Sequence, residues 1–254
     1  HSLFLEISLA DELIFTPSNR YQLSIQKNYK LNFPLDESNL ITQSYNLMKE
    51  KLPSPIQDYK IKIKKKIPIG GGLGGGSSNA AIVLNALNQL WKLNFSNKVL
   101  LDMAKTLGAD VPFFINGGMQ FVDGIGDILC PIYHNDIKNY FFVLIVPSIH
   151  ISTSWAFRKL NKSLHVTSNR NKFSPLSDQI EWEIFENDFE RVIYETYPEI
   201  GIIKKDLKNL GALYAGLSGS GSTVFGVFDN HQKAKLILDK FIQYQSFITS
   251  PVFR

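Results

Sequence analysis

The sequence predicts an α+β protein of two domains. Some segments alternate apolar and polar residues, as strands do, while others repeat apolar residues with helical spacing. The two kinds follow one another without the strict strand–helix–strand alternation of a doubly wound parallel sheet. The chain of 254 residues is long enough for one large domain or two ordinary ones, and a polar stretch without periodicity, NKSLHVTSNRNKFSPLSDQI at 161–180, marks a long loop at or just after a junction. The expected division is 1–145 and 146–254.

The first third reads as β-rich. SLFLEISLADELIF (2–15) is apolar and partly alternating, and YQLSIQ (21–26) alternates. SNLITQSYNLMKEKL (38–52) reads as a helix capped by Ser38. In YKIKIKKKIPI (59–69), Ile61 and Ile63 alternate with lysines, the pattern of a strand with one wet face. After a glycine run, SSNAAIVLNALNQLWKL (77–93) predicts an amphipathic helix capped by Ser77 or Ser78, with Ile82, Val83, Ala86, Leu87, Leu90 and Trp91 on its apolar face. NKVLLDMAKTLG (97–108) predicts a helix ending at Gly108. Residues 109–132 read as a turn and short strands joined by glycine turns, and YFFVLIVP (140–147) as a buried central strand. The remainder predicts helices over 180–197 and 198–211, a glycine-rich turn GLSGSGS (216–222), a strand TVFGVF (223–228) and a helix over 231–243.

Hydrophobic residues make up 44% of the chain and charged residues 20%, the balance of a globular protein with a real core. No apolar run approaches the roughly 20 residues of a membrane-spanning helix, and no signal peptide is visible. One cysteine, Cys130, allows no intrachain disulfide, and the cytoplasm is the expected compartment. Its apolar context, ILCPIY, reads as a small buried residue rather than a nucleophile. The net charge of +4 is too small for a dedicated nucleic-acid binder and suits an anionic small-molecule substrate. The scattered histidines His1, His134, His150, His165 and His231 and a single cysteine do not build a zinc site, and no metal-ligating residue is assigned.

The most informative stretch is IPIGGGLGGGSSNAA, starting at residue 67, with six glycines in seven residues. A Walker A loop requires a lysine after the glycines, and none follows. Gly70, Gly72 and Gly75 satisfy the dinucleotide pattern, but no acid stands about 20 residues further on and no strand follows the helix directly. A third reading is a different phosphate loop, in which glycines admit an anion to the unpaired N–H groups at the start of a helix. On pattern alone this is favoured over a plain connector. Lys60, Lys62, Lys64, Lys65 and Lys66 read equally well as the wet face of a strand or as a positive field beside that loop.

IPIGGGLGGGSSNAA resembles the ATP-binding motif of the GHMP kinases, the family of galactokinase, homoserine kinase, mevalonate kinase and phosphomevalonate kinase. LGADVPFF (107–114) is similar to the family segment that carries a catalytic aspartate, and GLSGSGSTVFGVF (216–228) to its third, C-terminal glycine motif. The resemblance implies an N-terminal domain like domain 2 of ribosomal protein S5 and a ferredoxin-like α+β C-terminal domain. It implies ATP and Mg²⁺ as cofactors, with Pro68, Ile69, Gly70, Gly71, Gly72, Leu73, Gly74, Gly75, Gly76, Ser77 and Ser78 around the phosphates. It places Asn39 and Leu40 at the adenine, Lys65 near the nucleotide, and Asp110 as the general base. Without the family, an Asp before Val-Pro reads as a turn or cap residue.

The triple-glycine form is similar to the branch acting on 4-diphosphocytidyl-2-C-methyl-D-erythritol, a polyol linked to cytidine diphosphate in non-mevalonate isoprenoid synthesis. The implied reaction is ATP-dependent phosphorylation of its 2-hydroxyl. On the substrate side the resemblance implies Phe157 stacking on cytosine, Ile125 as a pocket wall, and His1 as the histidine of a G-[YF]-H turn facing the cytidine. The implied partner is this small molecule, not nucleic acid or membrane, with the protein a monomer or homodimer. The family's P-A-K-x-N segment, whose lysine assists catalysis, is not among these residues, so a protein made of them alone is expected to be poorly active. Another GHMP kinase of the mevalonate or homoserine type, or a non-catalytic nucleotide- or RNA-binding module, is the alternative.

Overall fold

A computed structural model describes residues 2–26, 33–52, 56–124, 126, 128–160 and 180–253. Nearly all of the expected loop at 161–180, together with His1 and Ile125, lies outside the described residues. The N-terminal part runs β1 (Ser2–Leu5), β2 (Glu12–Ser18), β3 (Gln22–Ile25), α1 (Leu40–Lys49), β4 (Asp58–Lys64), α2 (Gly75–Leu90), α3 (Asn97–Leu107), α4 (Val111–Asn116), β5 (Met119–Asp123) and β6 (Ile128–Pro131). The C-terminal part runs β7 (Phe141–Val146), α5 (Thr153–Leu160), α6 (Phe189–Thr196), α7 (Pro198–Asn209), β8 (Tyr214–Leu217), β9 (Val224–Phe228), α8 (His231–Leu238) and β10 (Gln245–Thr249).

β4 is the middle strand of a mixed sheet ordered β2-β4-β3. Ile61 and Ile63 point into a core shared with Ile41, Tyr45 and Met48 of α1 and Val83, Leu84 and Leu87 of α2. Lys60 and Lys62 point outward, and Lys64 pairs with Glu12 on the antiparallel neighbour at 2.8 Å. The lysine alternation is therefore a wet sheet face rather than a field at the loop, as the period of two dictates.

The face of α2 differs from expectation. Ile82 and Leu90 are exposed, while Ala80, Ala81 and Leu84 join Val83, Leu87 and Trp91 in the core. Small alanines let α1 and α2 approach closely, and the periodicity alone did not separate that side from the one facing solvent. Asn39, not Ser38, caps α1, its Oδ1 accepting from the Ile41 N–H at 2.9 Å. The Ser38 hydroxyl instead donates to Asp36. Cys130 is exposed on β6, because the alternation of that short strand turns it outward.

The run at 140–147 forms β7, inside a second sheet ordered β10-β7-β9-β8. Both faces of β7 are covered, which is why its sequence is continuously apolar. Val143 and Ile145 face a core with Ile193, Ile200, Ile203 and Leu207 of α6 and α7. Phe142 and Leu144 face a third core with Met119, Val227, Leu3, Leu5 and Leu73, which joins the β1-β5-β6 sheet to this one. The expected division at 145/146 thus falls inside β7, whose pairing assigns it to the C-terminal sheet. The helix expected over 180–197 is shorter: a 3₁₀ turn at Trp182–Ile184 precedes α6. Helix α4 within 109–132 and strand β10 are additions to the expected elements. Among the described residues no helix is long and apolar enough to cross a membrane.

Candidate active site

The glycine run leaves β4 and turns sharply into α2. Gly70, Gly72 and Gly74 have φ of 72°, 73° and 64°, in the left-handed region that favours glycine. Gly74 occupies the cap position, and the helix begins at Gly75, ahead of the serines expected to cap it. The Ser78 N–H closes the first turn on the Gly74 carbonyl at 2.8 Å, and its hydroxyl donates to the Gly75 carbonyl at 3.0 Å. The N–H groups of Gly75, Gly76 and Ser77 precede that bond and have no helical acceptor. With the helix dipole behind them they form an anion site.

Beneath the loop lies a buried polar cluster centred on Asp11. Its Oδ1 accepts from the Lys66 and Ile67 N–H groups at 2.7 and 2.8 Å. Its Oδ2 accepts from Lys65 Nζ at 2.7 Å and Asn79 Nδ2 at 2.9 Å. The ion pair is sealed from solvent, with side chains 4% and 0% exposed. One carboxylate thus ties the start of the loop to the first turns of α2. Lys65, expected beside the nucleotide, is engaged below the loop, its ammonium also donating to the Ile67 carbonyl. Burial pulls the Lys65 ammonium below its ordinary value of 10.5, against the pull of Asp11.

The second glycine turn, between β8 and β9, meets the first loop face to face. The Thr223 N–H donates to the Gly71 carbonyl at 3.1 Å, and the Ser218 hydroxyl to the Gly72 carbonyl at 2.9 Å. A side chain on Gly72 would place its Cβ 2.5 Å from the Ser218 carbonyl oxygen and 2.7 Å from that of Gly221. The turn is braced from behind by the Thr153 and Ser220 hydroxyls, 3.0 Å apart. At the near edge of the loop, His150 is exposed and lies over Gly70, its Nδ1 2.6 Å from where a Cβ would stand.

Asp110 takes the cap position of α4, but its side chain makes no cap hydrogen bond. The residue is open to solvent, yet protein crowding around the carboxyl pushes its pKa above 3.8. Phe114, one helical turn further along the same face, touches the loop at Gly74: a Cβ there would lie 2.8 Å from its ring. The face of α4 that begins with Asp110 is therefore the one turned toward the phosphate loop.

Of the remaining candidates, Leu40 lies against the start of α2, 3.6 Å from a Cβ position on Gly76. The Asn39 side chain is buried and committed to its cap and to the Pro34 carbonyl. Pro68 is buried and Ile69 exposed. Phe157 is exposed on α5, with its ring edge-on to Phe189 at 4.9 Å. It stands one turn beyond Thr153, on the side that braces the glycine turn. Sequence reasoning gave no role to Asp11 or His150 beside the loop, and although it singled out the segments containing Asn79 and Ser218, it did not show what those side chains bond. Asp11 is one of three acids in SLFLEISLADELIF, with Glu6 and Glu12, so the segment did not single it out, and its four donors come from two distant stretches.

Both halves of the molecule match a known family. The profile described as "GHMP kinases N terminal domain" matches residues 39–118, and that described as "GHMP kinases C terminal" matches 169–245. A relative from Thermodesulfovibrio yellowstonii, named 4-diphosphocytidyl-2-C-methyl-D-erythritol kinase, is 35% identical, covering 96% of this chain and 86% of its own length. One of the same name from Syntrophus aciditrophicus is 40% identical over 92% of this chain and 82% of its own. The crystal structure of a 4-(cytidine 5'-diphospho)-2C-methyl-D-erythritol kinase superposes with a TM-score of 0.76 at 27% identity, covering 99% of this chain and 90% of that one. Homoserine kinase from Cytophaga hutchinsonii has the same fold, with a TM-score of 0.77 at 23% identity. With both domain profiles matched and relatives 35% and 40% identical over most of the chain, the chain belongs to the GHMP kinase family.

Proposed function

We propose that the protein transfers the γ-phosphoryl group of ATP to the 2-hydroxyl of 4-diphosphocytidyl-2-C-methyl-D-erythritol. The observation that carries this reading is the likeness, over most of the chain, to relatives named for that substrate. The site supports it chemically. Phosphoryl transfer asks a protein for positioning and charge neutralisation rather than covalent chemistry. Backbone N–H groups of the loop and of Gly75, Gly76 and Ser77 receive the phosphate oxygens. Asp110 accepts the proton of the attacking hydroxyl, and among the described residues its carboxylate makes no side-chain cap hydrogen bond that would compete. Burial raises its pKa above the ordinary aspartate value of 3.8, which makes its carboxylate a better proton acceptor than an ordinary one. Phe157 offers an open ring face to the cytosine.

Mg²⁺ is held largely by water and substrate phosphates in such sites, with few protein ligands. The Ser77 hydroxyl, at the start of α2, would be the side chain to help hold such an ion, which would neutralise charge on the transferring group. Lys65 supports the loop from below.

The test is ADP release by the full-length protein with 4-diphosphocytidyl-2-C-methyl-D-erythritol, mevalonate and homoserine offered in parallel. Turnover with the cytidine-linked polyol alone is expected. Turnover confined to mevalonate or homoserine would move the protein to another branch of the family. ADP release with none of the three would reject the assignment.

A further inference from the structure

The carbonyl groups of the phosphate loop are held from the opposite domain, and this sets where its N–H groups point. A trans peptide is planar, so its C=O and the following N–H leave from opposite edges. The Gly71 carbonyl is fixed by the Thr223 N–H, which turns the Gly72 N–H away from the β8–β9 turn. The Gly72 carbonyl is fixed by the Ser218 hydroxyl, which turns the Leu73 N–H the same way. Neither of these N–H groups donates to the protein among the described residues. They lie in the chain just ahead of the N–H groups of Gly75, Gly76 and Ser77 at the start of α2.

The first of these anchors is a backbone bond, while the second is a side chain. No other side chain among the described residues bonds a carbonyl of residues 70–74. The Thr223 hydroxyl is buried at the same junction and has no hydrogen-bond partner among the described residues. Gly72 has no side chain to restrict its own rotation, so without the Ser218 hydroxyl the following peptide is oriented only by the packing of Leu73.

We infer that Ser218 is a positioning residue for the nucleotide, aiming the Leu73 N–H into the phosphate site by holding the Gly72 carbonyl. This rests on the loop being the nucleotide site, as proposed above. Ser218 is partly exposed at the end of a hairpin, and its loss leaves the cores intact. The net worth of one such hydrogen bond corresponds to about a 3- to 10-fold change in affinity.

The experiment compares the full-length wild type with Ser218→Ala and Ser218→Thr, by calorimetric titration with ADP and with inorganic tripolyphosphate, steady-state kinetics and thermal melting. Ser218→Ala is expected to weaken both ligands and raise KM for ATP by about 3- to 10-fold, with kcat and the melting temperature nearly unchanged. Ser218→Thr, which keeps the hydroxyl, is expected to restore wild-type affinity. Wild-type affinity in Ser218→Ala, no recovery in Ser218→Thr, or a loss confined to kcat would each overturn the inference. Failure of the wild type itself to bind either ligand would instead overturn the phosphate-loop reading, and the inference with it.

Discussion

Asp110 combines an open position with a carboxyl that the surrounding protein disfavours in its charged form. Asp110→Asn is expected to lower kcat by at least about 10²-fold, with ADP affinity unchanged. A general base must be ionised, so the rate rises with pH through its pKa. The acid limb of kcat/KM should therefore lie above the ordinary aspartate value of 3.8. The same substitution removes a desolvated charge, so its melting temperature at neutral pH should equal or exceed the wild type's. Near-normal turnover would remove Asp110 from the role. Asp11 is the opposite case, a buried acid whose two oxygens each accept two hydrogen bonds. Asp11→Asn leaves the Lys65 ammonium buried without its counter-charge and should cost about 3–5 kcal/mol in chemical denaturation. The double variant with Lys65→Met should lose less than the sum of the two single changes, since they share one interaction.

At the scale of elements, the site is two glycine connectors pressed together, each presenting backbone to the other. Gly72 shows how little room there is, because a Cβ there meets two carbonyl oxygens and the backbone is left-handed as well. Gly72→Ala is therefore expected to reduce ADP affinity by more than about tenfold, from conformational strain and displacement of the β8–β9 turn. ADP titration of this variant is the check, and affinity within twofold of wild type would show that the junction yields easily. The α2 helix contributes through where it begins. Gly74 sets that point by ending the left-handed turn, leaving the first serine's N–H free and the second's closed on the helix.

Across the whole molecule, the described tyrosines make stability sensitive to alkali. Burial raises the phenols of Tyr45 and Tyr194 above their ordinary value of 10.0, and that of Tyr214 to about 12. Above pH 10 the unfolded chain releases these protons while the native state keeps them, so stability falls as pH rises toward the native values. Lys65 works the other way, since its native pKa is lowered and the native state gains as pH rises toward 10.5. Three phenols outweigh one ammonium, and melting temperature should drop steeply once pH passes 10. A flat profile through that range would mean that the phenols ionise without unfolding.

The sequence by itself determined the α+β class, the exclusion of a Walker lysine after the glycine run, and the family. Each is local or periodic: alternation at Ile61 and Ile63, glycines before a helix, an aspartate before Val-Pro. The helix face of α2, the exposure of Cys130 and the break before β7 were decided by which neighbours cover each side, and no single segment encodes that. The same holds for Lys65. Its place next to the glycines read as a nucleotide contact, but Asp11, more than fifty residues earlier, draws its charge beneath the loop. Ser218 became part of the site only when folding brought a hairpin turn from the other domain against Gly72. Backbone carbonyls carry no sequence signature, so which group would hold them was settled by tertiary packing alone.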